Sequence, residues 1–162
     1  MANSEYYDGT KILSMMDING NKPELYLITT NRTGGKTVWW NRYCTKQFKN
    51  GNGKFCLIYR FNYELDSVAD KFFKDIGSLF FHEMCIRSER RANGIFHELY
   101  LYSNSELEKK GESCGYAISL NGADQIKKYS HHFSDVNRML FDEFQSETNH
   151  YCADEVKKLI AA

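Results

Sequence analysis

Gly35-Lys36-Thr37 is the group of residues with the clearest chemistry in this 162-residue chain. It closes a polar loop, Thr30-Asn31-Arg32-Thr33-Gly34-Gly35-Lys36-Thr37, which follows the apolar run Leu25-Tyr26-Leu27-Ile28 and precedes a helix-like pattern. Strand, glycine-bearing loop and helix in that order are the layout of a phosphate-binding loop, which a plain strand–turn–helix with a surface lysine would also show. In a phosphate-binding loop, backbone N–H groups and a helix N-terminus hold the β- and γ-phosphates of a nucleotide. Lys36 would bring a mobile positive charge to those phosphates, and the Thr37 hydroxyl would ligate Mg²⁺. The pattern G-x-x-x-x-G-K-[ST] has glycine where this chain has Thr30, so that turn must form without glycine's conformational freedom.

A second set of candidates lies about a hundred residues on, where Met139-Leu140-Phe141 runs into Asp142-Glu143. An Asp at the carboxyl end of a buried strand can hold the Mg²⁺ shell. A Glu just after it can act as general base on an attacking water. A buried strand capped by exposed acids would look the same. Found together and in this order, the two motifs point to a nucleoside triphosphatase of the P-loop class, with ATP and Mg²⁺ as expected ligands.

The elements that must position these groups follow from periodicity. Leu25 to Thr29 is nearly continuous in apolar character, as expected of a parallel strand covered on both faces. Trp40, Tyr43, Cys44 and Phe48 fall on one helical face, and Lys49-Asn50-Gly51-Asn52-Gly53 stops that helix. Phe55 to Tyr59 reads as a second buried strand. Arg60 at its carboxyl end either senses phosphate, touches DNA or makes a structural ion pair. Leu65, Val68, Ala69, Phe72, Phe73 and Ile76 mark the next helix, with Ser67 and Asp70 as a capping box and Gly77 as its end. The order β-α-β-α implies a parallel sheet.

Residues 79–120 read differently. Phe81 to Ile86 and Ile95 to Tyr102 are predicted strands around a polar turn, and Tyr116 to Leu120 is a third. Arg87, Arg90 and Arg91 are expected at the hairpin tip. A short helix over 121–130 leads through His131-His132 to the acidic-ended strand, and a last helix begins at Asp154. The predicted fold is α/β: a P-loop NTPase of the additional-strand type, with a mostly parallel sheet flanked by helices and an antiparallel meander before the Asp142 strand.

Composition limits the alternatives. The chain is 42% hydrophobic and 15% aromatic, with 21 basic and 21 acidic residues, so bulk attraction to nucleic acid is excluded and any DNA contact must be local. Five scattered cysteines with no C-x-x-C pair suit buried thiols in a reducing cytoplasm. No apolar run reaches membrane-spanning length, so a soluble protein with no membrane contact is expected. Residues 1–162 read as a single domain.

Several of these stretches carry a family resemblance. The loop Thr30 to Thr37, with arginine two places after the usual first glycine position, resembles the P-loop of phage DNA-packaging ATPases. Tyr59-Arg60-Phe61-Asn62-Tyr63-Glu64-Leu65, Gly115 to Leu120 and Leu140-Phe141-Asp142-Glu143-Phe144 are similar, in the same order, to segments of the encapsidation ATPases of small podophages. Tyr6 to Ser14 is similar to that family's lead-in. The resemblance covers most of the chain.

It implies a terminase-like motor domain that threads double-stranded DNA into a procapsid, in the host cytoplasm, with the portal complex as partner and a homo-oligomeric ring in the full-length protein. Lys36 and Thr37 would then form the Walker A phosphate and Mg²⁺ contacts. Asp142 would be the Walker B metal carboxylate and Glu143 the catalytic base. Arg32 would reach the γ-phosphate or couple its state to neighbouring elements; read from the residues alone, it equally makes a loop-stabilising ion pair. Full packaging ATPases continue well past the Walker B strand, so the chain is expected to be an N-terminal part or a shortened relative. The alternatives are another P-loop enzyme (helicase-like or a nucleotide kinase) and a nucleotide-binding interaction module that does not hydrolyse ATP.

Overall fold

A computed structural model describes residues 7–29, 35–106, 110–142, 144–145 and 148–161. Among them are five helices, α1 (Thr10–Leu13), α2 (Lys36–Lys49), α3 (Val68–Phe80), α4 (Ala123–Ile126) and α5 (Glu155–Ala161), with short 3₁₀ turns between elements. The strands β1 (Lys54–Tyr59), β2 (Met84–Arg91), β3 (Phe96–Ser103), β4 (Glu112–Ser119) and β5 (Val136–Phe141) form one sheet in the order β2-β3-β4-β1-β5.

Strand β1 lies inside the sheet, parallel to β4 on one side and to β5 on the other. Its side chains alternate between two cores, as the period-2 geometry of a strand requires. Phe55 and Leu57 join Val68, Phe72, Phe73 and Ile76 of α3 and Cys44 of α2 on one face. Cys56 and Ile58 join Phe96, Tyr116, Ile118, Leu120 and Ile126 on the other. Each fully buried Phe or Leu contributes about 1.5–3 kcal/mol, so this strand is the anchor of the molecule. Helix α2 is tied to α3 by Asn41, whose buried side-chain amide donates to the Phe72 carbonyl at 3.0 Å. It ends as expected, with Lys46 and Lys49 in its last turn and Gly51 at φ +75°.

Four expectations are corrected. The sheet is evenly mixed rather than mostly parallel, because β2, β3 and β4 pair antiparallel and only the two β1 pairings are parallel. Leu25 to Thr29 belongs to no strand: Leu25 is 64% and Leu27 73% exposed, while Tyr26 and Ile28 are half-buried. An apolar run reads the same whether it is covered on both faces or lies extended with one face down, and a strand needs a partner to hold it. Helix α3 continues through Gly77 to Phe80, because the missing side chain makes room for the Phe73 ring, which a Cβ at Gly77 would meet at 2.9 Å.

The arginines expected at the hairpin tip lie in β2 instead. The turn is Ala92-Asn93-Gly94, with φ values of +49°, +58° and +86°. Arg91 is held along the strand by Glu89, Glu98 and Tyr100, and Arg90 by Asp66.

Candidate functional site

Gly35 caps α2 from the left-handed region, φ +77°, a conformation that glycine reaches without steric cost. The first regular helical bond here runs from the Trp39 N–H to the Gly35 carbonyl. The N–H groups of Lys36, Thr37 and Val38 therefore have no acceptor within the helix, as is true of the first N–H groups of any helix. Among the described residues no side chain caps this end, and no acidic residue lies in its first turn. Lys36 sits in that turn, at the end where the helix dipole disfavours a cation, so the position favours a negative partner.

Asp142, immediately after β5, provides one. The Thr37 hydroxyl donates to Asp142 Oδ2 at 2.5 Å, and Lys36 Nζ lies 3.4 Å from Asp142 Oδ1. The Lys36 and Asp142 side chains are 26% and 28% exposed, so the cluster is partly shielded yet open to a ligand. The structure thus brings together Gly35, Lys36, Thr37 and Asp142. Thr30, Asn31, Arg32, Thr33, Gly34 and Glu143 lie outside the described residues.

The donor set fits a hard divalent cation. A hydroxyl and a carboxylate oxygen face each other at one corner, and Mg²⁺ takes one or two such protein oxygens, completing its shell with water and phosphate. Among the described residues no group of three or more His, Cys, Asp or Glu could hold a metal ion by itself. His131 and His132 are exposed, and their rings lie tilted against each other, 4.3 Å between centroids. Cys44, Cys56, Cys114 and Cys152 are buried free thiols. Burial pushes the Cys44 and Cys56 thiols up to about 12, which leaves them inert.

The aromatic residues beside this corner pack on one another. Trp39 stacks on Tyr43 at 5.4 Å and meets Trp40 edge-on at 4.7 Å, and Tyr7 approaches both indoles. Of the three readings left open for Arg60, the structure gives the ion pair: its Nε lies 2.7 Å from Glu155 Oε2. Sequence reasoning missed Glu155 altogether, because no motif or spacing marks a partner 95 positions away.

A mixed five-stranded α/β sheet flanked by helices is a fold shared with solved phage DNA-packaging proteins. The chain belongs to the podovirus DNA encapsidation protein (Gp16) family, whose sequence profile matches residues 1–162. Three solved structures are similar in fold. The N-terminal domain of the DNA packaging ATPase from bacteriophage phi29 has a TM-score of 0.56 and 23% identity over 80% of this chain and 59% of that one. The bacteriophage phi29 viral genome packaging motor assembly gives 0.63 and 22% over 98% of this chain and 42% of that one. The phi28 gp11 DNA packaging motor gives 0.62 and 15% over 97% and 45%. The chain thus spans about half the length of the proteins it matches. No curated protein matches it.

Proposed function

We propose that this chain is the nucleotide-binding part of a phage DNA-packaging motor, an additional-strand P-loop ATPase that uses ATP and Mg²⁺ to move double-stranded DNA into a procapsid. The observation that carries this reading is the meeting of Thr37 and Asp142 beside Lys36, at the N-terminus of α2. Family membership and the fold of the packaging proteins support it.

In this reading the open N–H groups of α2 and the Lys36 ammonium hold the β- and γ-phosphates. The Thr37 hydroxyl and the Asp142 carboxylate hold the metal in place against them. When bound, Mg²⁺ withdraws charge from the phosphate oxygens. Glu143, next to Asp142 in sequence, is assigned the proton of the attacking water. Arg32 is assigned to developing negative charge on the transferred phosphoryl group. Positioning and charge stabilisation account for most of the acceleration in this chemistry. The portal complex, a ring of copies and the host cytoplasm belong to the same proposal. Among the described residues no helix is long and apolar enough to cross a membrane.

The test is a titration with a fluorescent ATP analogue and Mg²⁺, with Lys36→Ala alongside and phosphate release followed in the same samples. Binding that is lost in the variant supports the reading. Equal binding by Lys36→Ala and the parent refutes it. Binding without release, even with DNA present, would favour a module that binds nucleotide without turning it over.

A further inference from the structure

Arg60 directly follows β1, which pairs with β5, and its guanidinium is held by several partners. Nε and Nη2 donate to the two oxygens of Glu155, at 2.7 and 2.9 Å, in the bidentate geometry that only arginine provides. Nη2 also donates to the Phe144 carbonyl at 2.8 Å. The rings of Phe141 and Tyr151 flank the group at 5.5 and 5.1 Å. Both charged side chains are only 11% exposed. Glu155 Oε2 further accepts the Cys152 N–H at 3.1 Å, and Glu64 Oε2 holds the backbone N–H groups of Arg60 and Phe61. One side chain therefore joins the end of β1, the backbone just beyond β5 and the first turn of α5.

We infer that Arg60 is a positioning residue for the Asp142 carboxylate, acting through the Phe144 carbonyl and held in register by Glu155. Resting on the nucleotide-binding reading above, this inference adds to it a device outside the phosphate corner. A single residue separates Asp142 from the clamped carbonyl at Phe144, and β5 fixes the chain on the other side of Asp142. Asp142 thus lies, in sequence, between the end of β5 and the carbonyl that Arg60 holds. Releasing that carbonyl lets the carboxylate drift from Thr37, and a metal corner built from two protein oxygens is sensitive to such drift. Helix α5 becomes part of the metal site without touching it.

The experiment measures binding of the fluorescent ATP analogue by the whole chain, with Mg²⁺ titrated and with EDTA. The parent is compared with Arg60→Lys and Glu155→Gln, and thermal unfolding is recorded for each. Lysine keeps the charge but cannot serve both oxygens and the carbonyl; glutamine keeps the shape of Glu155 and removes its charge. The expected result is a Mg²⁺ requirement raised about ten- to hundredfold in both variants, as for other residues that orient metal ligands, with metal-free affinity unchanged. A parent-like Mg²⁺ dependence in both variants overturns the inference and leaves the nucleotide reading intact. An equal loss of affinity with and without Mg²⁺ means a purely structural role and also overturns it. No binding by the parent refutes the nucleotide reading and this inference with it.

Discussion

The Thr37 hydroxyl donates to the Asp142 carboxylate at 2.5 Å across 105 positions of sequence, joining the first turn of α2 to the end of β5. Neither motif could announce this contact alone, and it gives the two halves of the site a shared geometry. Lys36 reaches the other oxygen of the same carboxylate, so one acid faces both groups of the helix start.

Thr37→Ser should therefore retain Mg²⁺-dependent nucleotide binding, whereas Thr37→Val should weaken it about tenfold or more. Asp142→Asn keeps the shape and still accepts from Thr37 but leaves Lys36 without its anion, and it should show the same Mg²⁺ defect. Because Thr37 is exposed, the stability change in Thr37→Val should be about 1 kcal/mol or less, read from denaturant unfolding. Parent-like Mg²⁺ dependence in both Thr37→Val and Asp142→Asn would remove the metal from this corner.

Gly115 tests the packing of the central strands. It lies opposite Phe55 in the β1–β4 register, and a Cβ there would meet the Phe55 carbonyl oxygen at 2.4 Å and its ring at 2.9 Å. Backbone in an interior strand cannot step aside cheaply. Gly115→Ala should cost about 1–3 kcal/mol in equilibrium unfolding, with a fall in melting temperature. An unchanged melting temperature would contradict the close approach of β1 and β4.

His97 makes stability depend on pH. The ring is buried, Nδ1 has no hydrogen-bond partner among the described residues, and burial pulls its pKa below the ordinary imidazole value. Asp66 opposes that shift and Arg90 adds to it. The folded state thus favours the neutral ring. Its contribution is complete above about pH 6.5, the unfolded value, and is lost as pH falls from there toward the lower folded value. Melting temperature should drop between pH 7.5 and 5.5 in the parent and less in His97→Phe. Identical slopes for the two proteins would show that His97 titrates alike in the folded and unfolded states.

Much of this architecture was legible in the sequence because local physics set it. The stripe Val68, Phe72, Phe73 and Ile76, the Gly51 stop of α2 and the Asn93-Gly94 turn are decided within a few residues of themselves. What resisted reading depends on distant neighbours. Leu25 and Leu27 resemble buried strand residues until the absence of a sheet partner in the described structure exposes them. Arg87 and Arg91 read as turn residues because nothing local shows that Tyr102, Glu98 and Tyr100 wait on the next strand. In the site, the motifs named Lys36, Thr37 and Asp142 from residue type and order, but Glu155 carries no such signature.

Strand β1 also sets the order in which the molecule can be assembled. Hairpin β2–β3 and its continuation into β4 pair neighbours in sequence and can close early, as low-separation contacts do. Phe55 to Ile58 must wait, since their partners are Gly115 to Ile118 on one side and Arg138 to Phe141 on the other. During synthesis this most apolar stretch leaves the ribosome well before either partner exists. The nascent chain therefore carries an unpaired, sticky strand until residues 115–118 and 138–141 have been made, and its aggregation hazard lies in that interval.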